Sequence, residues 1–331
     1  MLASVTSVAI PALLALVMAA LTVAGLLRSR AASRVIDLPN HRSLHVAPTP
    51  RIGGIGILTG IAAGCLYAGS ATNILVTAGL VLLIGISILD DLYNLSVVWR
   101  MLAHLTSAGL AATAFLYDAY GGWVVVIATL AITWMINLYN FMDGSDGLAG
   151  GMAVFGFGSY GIAAFCMQDL ALAAVTLSIA GAAAGFLFFN FPPARVFMGD
   201  AGAIPLGFLA AVCGIAGWQR DTWPLWFGVV VFSPFIVDAT LTLLRRLARG
   251  AKVWEAHREH YYQRLVQTGW GHRKTLLAEF MLMTVVCSAA LAGLRLPTEM
   301  QAVLVAGISA LFILLITLLE RKLGANATPH V

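Results

Sequence analysis

The sequence has little charge. Of its 331 residues, 10% are Asp, Glu, Lys or Arg, whereas 60% are hydrophobic. A soluble domain usually carries about 25% charged residues. The shortage excludes an ordinary soluble domain and indicates an all-α polytopic membrane protein. The loops between the apolar runs leave no room for a separate soluble unit, so we expect one integral membrane domain over residues 1–331.

Two further absences narrow the class of protein. The first 27 residues contain no Lys or Arg, and Arg28 and Arg30 follow the apolar run. A cleavable signal peptide has its positive charge before that run, so we interpret the segment as a retained first span with its N-terminus outside. The cysteines lie far apart without zinc-site spacing, which favours apolar packing over a metal site: Cys65, Cys166, Cys213 and Cys287.

Apolar runs of about 20 residues, the length that crosses a bilayer, recur along the chain. We predict eleven spans, near 5–27, 53–70, 72–90, 99–118, 122–140, 151–167, 169–189, 203–218, 223–244, 275–294 and 300–319. The predicted inner segments then hold every Lys and Arg except Arg220 and Arg295. Because Lys and Arg concentrate in cytoplasmic loops, we expect a cytoplasmic C-terminus. The same rule places the polar segments 28–52, 90–100, 137–150, 190–202 and 245–274 on the cytoplasmic face.

The inner segment between the first two spans, 41-HRSLHVAPTPRIGGIGI-57, supplies His45, Arg51 and a glycine run that enters a helix. Backbone N–H groups at a helix start suit phosphate oxygens, and an arginine adds positive charge. The alternative is a positively charged inner loop followed by a glycine-rich packing helix. Both interpretations stay open on this segment alone.

Asp90 and Asp91 end the third predicted span, and Arg100 is the next cation along the chain. Adjacent carboxylates repel each other at a membrane boundary unless a cation or protons share the site. Mg²⁺ prefers oxygen ligands and retains several waters. The pair therefore indicates metal-assisted phosphate chemistry, with a simple helix end in water as the alternative.

Two more inner segments carry amides and acids. In 137-NLYNFMDGSDGLAGG-151 the polar residues recur every three residues, near one helical face and its following turn: Asn137, Asn140, Asp143 and Asp146. In 190-NFPPARVFMGDAGAIPLG-207 a short loop supplies polar groups and an aromatic ring suited to stacking on a base: Asn190, Arg195, Phe197 and Asp200. A helix cap is the alternative for Asp200.

The segment 245–274 is the most basic in the chain and contains three histidines: His257, His260 and His272. His257 and His260 are three residues apart, which would let both reach phosphate from one helical face. The alternative is an amphipathic interfacial helix attracted to anionic lipid. Asp238 lies inside the ninth predicted span, where an acid needs a partner, and Arg245 is the simplest one.

Together these clusters resemble the polyprenyl-phosphate N-acetylhexosamine-1-phosphate transferases, the superfamily that includes the peptidoglycan translocase. The resemblance extends from about Arg42 to Lys274. Its most specific parts are DD at 90–91, NxxNxxDGxDGL at 137–148 and FMGDAG at 197–202. It implies a Mg²⁺ enzyme, with Mn²⁺ as an alternative, that has ten or eleven helices around a cytoplasmic cleft.

The resemblance also implies residue roles. Asp200 matches the metal ligand, and Asp90 and Asp91 match the acceptor-phosphate and catalytic acids. Asp143 and Asp146 match catalytic positions. Residues that match the substrate-binding part of the pocket, or that we add to it as basic or amide groups on the same face, are His45, Arg51, Arg100, Asn137, Asn140, Asn190, Arg195, Phe197, His257, Arg258 and His260.

The resemblance implies transfer of a sugar 1-phosphate from a UDP-sugar to undecaprenyl or another polyprenyl phosphate at a bacterial inner membrane. The chain lacks the consecutive histidines of the peptidoglycan translocase, and Leu92-Tyr93-Asn94 replaces its basic residue after the Asp pair. Both departures favour the branch that begins O-antigen or other surface glycans. Membrane lipid is an expected partner, a homodimer stays open, and no nucleic-acid partner is indicated. A transporter or a non-catalytic lipid-binding protein is the rival class, but transporters place their ionisable groups near the bilayer midplane.

Overall fold

The computed structural model describes residues 2–30, 32, 35–39, 44, 47–71, 73–252 and 257–325, and helices dominate this part of the chain. Its helices are α1 Leu2–Arg28, α2 Gly53–Tyr67, α3 Ile74–Tyr93, α4 Val97–Tyr120, α5 Gly122–Phe141, α6 Leu148–Cys166, α7 Leu170–Asn190, α8 Asp200–Gln219, α9 Leu225–Val231, α10 Ser233–Ala248, α11 Tyr261–Leu265, α12 Gly271–Gly293 and α13 Thr298–Ala325. Two short antiparallel strands, β1 Ile36–Asp37 and β2 Thr49–Pro50, pair with each other. The predicted all-α membrane class is confirmed.

Ten of the eleven predicted spans each coincide with one helix, and the count of eleven spans stays a prediction. Within the described residues, eight helices are long and apolar enough to cross a membrane, or nine if the bent pair α9–α10 is one span. The helix α2 has 15 residues, about 22 Å at 1.5 Å per residue, which is shorter than the roughly 30 Å hydrocarbon core. The helix α4 carries Arg100, His104 and Asp118, which lower its hydropathy.

The ninth predicted span, 223–244, is two helices rather than one. Between them the chain turns by 74° at Phe232. Pro234 lies in the first turn of α10 and has no N–H, so it begins a helix readily but does not continue one. Aromatic rings pack around the turn, with Phe232 5.6 Å from Phe157 and 5.5 Å from Tyr160 between ring centroids.

Small residues bring α1, α2 and α7 into close contact. Gly56, Gly60 and Gly64 recur every fourth residue of α2, and an added Cβ at each would collide with α1. The facing residues Ala15 and Ala19 of α1 are fully buried. Small residues at such spacing let helix backbones approach each other in a membrane. This packing fixes where α2 begins and therefore where Arg51 lies.

The start of α2 pairs with the loop before α8. Gly53 N donates to Phe197 O at 2.9 Å, Gly54 N donates to Met198 O at 2.8 Å, and Phe197 N donates to Pro50 O at 2.8 Å. A side chain at Gly54 would collide with the backbone of Ala201. The expectation that these glycine N–H groups receive phosphate is therefore wrong for Gly53 and Gly54. The packing alternative holds, because protein carbonyls occupy both donors.

Candidate active site

A polar cavity of about 220 Å³ brings together segments that are far apart in the sequence. Of the predicted site residues, it is lined by Arg51, Asn140, Asp143, Asp146, Asn190, Phe197 and Asp200. It is also lined by residues that the sequence did not single out as site residues, among them Asp37, Ser145, Gln263 and His272. The termini of α5, α7 and α8 and the loops beside them supply most of this lining.

Arg100 links the Asp pair to Asp200. Its Nη1 lies 3.1 Å from Asp90 Oδ2, and its Nη2 lies 3.6 Å from Asp200 Oδ2. The second oxygen of Asp90, Oδ1, accepts a hydrogen bond from Leu95 N at 2.7 Å. The guanidinium has two parallel donor edges, so it can bridge two carboxylates where a lysine could not. Asp90 is thus held on both oxygens, and its charge orients Arg100.

Asp91 turns toward the start of α8. Its Oδ2 accepts a hydrogen bond from Ala201 N at 3.2 Å, a favourable position for a carboxylate because helix N-termini carry partial positive charge. Gly199 precedes this helix with φ +72, and a Cβ there would lie 3.2 Å from Asp91 Oδ2 and 3.3 Å from Arg51 Cβ. Glycine is therefore required at this position, both for its backbone conformation and for space.

Arg51 enters the cavity from β2 and is paired there. Its Nη2 lies 2.6 Å from Asp37 Oδ1, and its backbone N donates to Val35 O. Burial lowers the pKa of Arg51, but the hydrogen bond and charge of Asp37 and the charges of Asp91 and Asp200 raise it by more, so Arg51 remains cationic. Asp37 was not predicted, because only the β1–β2 pairing brings it beside Arg51.

Asp143 lies in the loop after α5 and lines the cavity. Burial raises the pKa of this carboxyl well above its usual range, and the nearby charges of Asp200 and Asp91 raise it further, whereas Arg51 lowers it. Carboxylates that crowd into a partly desolvated site favour a shared proton or a cation between them. The Asp90, Asp91, Asp143 and Asp200 group has this character, with Arg51 and Arg100 as its counter-charges.

The acid Asp146 ties the loop after α5 to two other segments. Its Oδ2 accepts a hydrogen bond from Ala194 N at 3.0 Å, and its Oδ1 lies 3.7 Å from His272 Nδ1. His272 Nδ1 is also 3.0 Å from Ser145 Oγ, and its Nε2 is 3.3 Å from Leu44 O. His272, at the start of α12, therefore connects three parts of the chain on one wall of the cavity.

Asn190 uses its side-chain amide to hold two loops together. Its Oδ1 accepts from Gly147 N at 2.8 Å, and its Nδ2 donates to Val196 O at 2.8 Å. The side chain is buried, so these bonds satisfy polar groups that water does not reach. Both ends of the amide are occupied by protein, which makes Asn190 a positioning residue for the loop that carries Phe197. The half-buried ring of Phe197 lines the cavity.

Several predicted site residues lie away from this cavity. Asn137 is one turn inside α5, and its Nδ2 donates to Thr133 O at 2.7 Å. Arg195 is exposed, and its guanidinium lies 5.1 Å from the Phe189 ring centroid. His45 lies outside the described residues. The structure therefore brings seven predicted residues to the cavity wall and places Asp90, Asp91 and Arg100 directly behind Asp200.

The predicted histidine pair is not on one helical face, because α11 begins only at Tyr261, after His260. His260 is buried, with its Nδ1 3.3 Å from Asp238 Oδ1. Asp238 also accepts from Tyr261 N at 2.9 Å and from Tyr262 N at 3.0 Å, so it caps α11. The simplest expectation for Asp238, a pair with Arg245, is therefore wrong.

His257 and Arg258 lie nearer to solvent than His260. The His257 ring lies 4.8 Å from the His260 ring, and burial followed by the charges of His260 and Arg246 lowers the His257 pKa to about 4. His257 is thus neutral at pH 7. Arg258 lines a different cavity, together with Arg245, Arg249 and Arg264.

The donor set fits a hard divalent cation. Among the described residues, no three His, Cys, Asp or Glu side chains form a ready metal-binding group. Mg²⁺ commonly uses one or two carboxylates and keeps several waters, so a preformed protein cage is not required. Asp200 faces the cavity, and the neighbouring carboxylates Asp91 and Asp143 interact with it electrostatically. The oxygen ligands and the excess negative charge suit Mg²⁺ or Mn²⁺.

Comparison with known proteins agrees with the geometry. Residues 73–217, which span α3 to α8, match the model of glycosyl transferase family 4. The chain is 29% identical to a Bacillus subtilis protein named as a probable undecaprenyl-phosphate N-acetylglucosaminyl 1-phosphate transferase, over 75% of this chain and 74% of the relative. It is also 29% identical to the decaprenyl-phosphate N-acetylglucosaminephosphotransferase of Mycobacterium tuberculosis, over 85% and 82%.

The peptidoglycan branch matches a shorter part of the chain. The phospho-N-acetylmuramoyl-pentapeptide-transferase of Chloroflexus aggregans is 33% identical over 58% of this chain and 53% of the relative. The matched residues 73–217 contain the Asp pair, the NxxNxxDGxDGL segment and FMGDAG, which are the motifs that carried the resemblance. Residues 73–217 therefore match glycosyl transferase family 4, and the chain is a homologue of the polyprenyl-phosphate N-acetylglucosamine-1-phosphate transferases.

Proposed function

We propose that the protein transfers an N-acetylhexosamine 1-phosphate from a UDP-sugar to polyprenyl phosphate, with release of UMP. One observation carries the proposal: Asp91, Asp143 and Asp200 converge with Arg51 and Arg100 around a polar cavity at the ends of apolar helices. The activities named for the relatives support the same reaction and favour N-acetylglucosamine as the sugar. The lipid-linked product enters the synthesis of a surface glycan or of the cell wall.

In the proposed reaction an oxygen of the lipid phosphate attacks the β-phosphorus of the UDP-sugar. A new P–O bond forms, the bond from the β-phosphorus to the bridging oxygen breaks, and UMP leaves with the electron pair. The second pKa of a phosphate monoester is about 6, so the nucleophile is mostly dianionic at pH 7 and requires no strong base. Three anionic groups must meet, so positioning and charge neutralisation dominate the barrier.

The arginines and the Asp pair have distinct parts in this scheme. Arg100 is held by Asp90 and faces Asp200, where its donors stabilise phosphate oxygens that gain charge. Arg51, oriented by Asp37, does the same from the cavity wall. Asp90 is a positioning residue, since both of its oxygens are engaged. Asp91 keeps one oxygen beyond its bond to Ala201 and is the better candidate to accept a proton from a monoanionic lipid phosphate.

Asp200 would hold Mg²⁺, with Asp91 or Asp143 beside it. Mg²⁺ bound there would neutralise diphosphate oxygens. Asp143 favours a proton when no cation is present, because its carboxyl pKa is raised by burial and then by Asp200. The protein thus supplies carboxylate oxygens and the Arg51 guanidinium to the cavity wall, with Arg100 behind Asp200.

The remaining lining residues suit the nucleotide end of the donor. Phe197 supplies an aromatic ring for uracil and Asn140 supplies an amide, and both line the cavity. Asn190, Asp146 and His272 fix the loops on which these groups lie. The amide and the aromatic ring together match a base that has both a flat face and hydrogen-bonding edges.

The protein is a multi-pass membrane protein, and we propose that its cavity opens to the cytoplasm of a bacterial inner membrane. Lys and Arg flank the cavity side of the helices, which is the charge pattern of cytoplasmic loops. A polyprenyl tail stays in the bilayer while its phosphate lies at the surface, and UDP-sugars are cytosolic. A cavity at helix ends is where the two substrates can meet.

Release of UMP by the purified protein in detergent tests the proposal. Each reaction contains polyprenyl phosphate, Mg²⁺ and one donor from a panel that includes UDP-N-acetylglucosamine, with EDTA as the control. We expect UMP that depends on both the lipid and the metal from one donor. Absence of UMP from every donor, with folded protein and an active control transferase, would contradict the proposed reaction.

A further inference from the structure

A second charged cavity, of about 390 Å³, lies beside the predicted active site and has a different character. Its wall carries Arg245, Arg249, Arg258 and Arg264 together with one carboxylate, Glu259. Arg249 and the neighbouring Arg246 both pair with Glu259, and Arg245 and Arg264 share Glu320. Five arginines therefore face two carboxylates, so the cavity has an excess of positive charge.

An apolar cavity of about 370 Å³ lies next to it, between α10, α12 and α13. Its walls include Leu265 of α11, Leu282 of α12 and Leu315 of α13. Glu279 and Asp238 are its acids, and Asp238 is occupied in capping α11. The helix α13, which forms one of its walls, also exposes apolar side chains such as Val303 and Ile313. Its chemistry suits hydrocarbon chains.

Aromatic and basic residues join the two cavities. Tyr261 lines the apolar cavity, and the guanidinium groups of Arg245 and Arg264 lie 5.7 Å and 5.4 Å from its ring centroid. Trp270 lines the same cavity, and the ammonium groups of Lys274 and Lys322 lie 4.7 Å and 5.0 Å from its ring. Tyr and Trp with Lys and Arg around them are typical of the membrane–water interface.

The two cavities are separate from the predicted active site. Among the residues that the structure describes, none lines both the basic cavity and the predicted active-site cavity. The helix α11 lies between them: Gln263 lines the active-site cavity, whereas Arg264 lines the basic one. Tyr262 also points away from the basic side, since its hydroxyl donates to Phe141 O at 3.1 Å.

We propose that these two cavities together form a binding site for one anionic glycerophospholipid. The phosphate lies among Arg245, Arg249 and Arg264, and an acyl chain lies in the apolar cavity below Tyr261. Charge complementarity supports an anionic head group over a zwitterionic one, since each basic residue near the surface adds to the attraction for anionic lipid. The adjoining apolar cavity supports a lipid over a free phosphate.

Native mass spectrometry of the delipidated full-length protein tests the site, with phosphatidylglycerol as the probe and phosphatidylethanolamine of the same chain length as its zwitterionic match. We expect one tightly retained phosphatidylglycerol and at least about tenfold weaker retention of phosphatidylethanolamine, from the loss of net head-group charge. The double variant R249Q/R264Q should weaken phosphatidylglycerol binding by about tenfold or more. The matched control R273Q/R321Q removes two exposed arginines near the same helix ends and should bind as the wild type does.

A second variant tests the acyl-chain part without a change of charge. Ala278 lines the apolar cavity, so A278F should fill it and reduce phosphatidylglycerol retention. Equal retention of the two lipids, or equal binding by R249Q/R264Q and R273Q/R321Q, would overturn the site. Displacement of phosphatidylglycerol by equimolar polyprenyl phosphate, or by glycerol 3-phosphate alone, would also overturn the site. So would a protein dimer that occupies this face in the wild type and dissociates in A278F.

Discussion

Two polar regions lie side by side in this protein, and their charges are arranged in opposite ways. Around the predicted active site, carboxylates from α3, α8 and the loop after α5 crowd together, with Arg51 and Arg100 as their counter-charges. Around His260, by contrast, protein groups occupy the acid: Asp238 accepts hydrogen bonds from Tyr261 N and Tyr262 N and lies 3.3 Å from His260 Nδ1. The first arrangement leaves a cavity with an excess of negative charge, whereas the second holds the start of α11 in place.

The difference shows how similar sequence signals acquire different meanings. Asp200 begins an apolar helix and Asp238 lies within one, and each is an acid near basic residues. Asp200 faces an open cavity, whereas both oxygens of Asp238 accept hydrogen bonds from the N-terminus of α11. A charge that protein groups already satisfy is not available to substrate, whatever its motif suggests.

The largest effect should come from D200N. Loss of the charge at the centre of the carboxylate group should reduce UMP release by about 10³-fold or more, because the metal would lose its carboxylate ligand and the diphosphate its neutralising cation. The control is D221N, at the exposed end of α8, where the backbone φ of 54 suits asparagine. Turnover within tenfold of the wild type in D200N would contradict the assignment of the metal.

The variant R100K should lose less activity than D200N. Lysine keeps the charge but cannot bridge Asp90 and Asp200 as the guanidinium does, so we expect kcat to fall by about 10²-fold, the usual cost of a lost oxyanion donor. The exposed Arg195 provides the matched control, since R195K should remain near wild type. Equal effects at the two positions would show that the bridge has no catalytic part.

His272 was not predicted as a site residue and should matter less than Arg100. H272Q loses the contacts to Asp146 and Leu44 O and loosens one wall of the cavity, so we expect about a tenfold loss in kcat/KM, the equivalent of one hydrogen bond to a charged group. R273Q, one residue away and exposed, is the control. If H272Q lowered the thermal stability but left kcat/KM unchanged, His272 would have a structural role only.

The smallest effect on chemistry should come from D238N, which tests the other side of the comparison. The variant weakens the cap of α11 and the contact to His260, so it should lower the free energy of unfolding by about 1–3 kcal/mol. Thermal unfolding in detergent measures the change, with T242V, which removes one hydroxyl bonded to Asp238, as the milder variant. A 10³-fold loss of turnover in folded D238N would instead place Asp238 in the chemistry.

The sequence predicts the fold well where the signal is local. Apolar runs locate every helix that crosses the bundle, because each run is long and the loops are short. The turn between α9 and α10 was not predicted, although Pro234 marks it, since the hydropathy of 223–244 is continuous. The length of α2 was overestimated, because residues 68–70 are apolar or small but lie beyond its end.

The candidate site shows the same division between local signals and long-range contacts. Asp143, Asp146 and Asp200 were found because their motifs are contiguous in the sequence. Asp37 and His272 were not selected, because their places depend on contacts between distant segments: His272 and Leu44 are 228 residues apart. The same long-range packing gave Asp90 and Asp200 a common partner in Arg100. A motif locates charged groups, but packing decides which of them meet.

The most direct test of the account is mass spectrometry of the lipid product. Wild-type protein and D200N each receive polyprenyl phosphate, Mg²⁺ and UDP-N-acetylglucosamine, together with the donors that released UMP. We predict a polyprenyl-diphosphate-sugar whose amount equals the UMP formed by the wild type and which is absent with D200N. UMP without that lipid, or the same lipid from D200N, would contradict transfer at this carboxylate site.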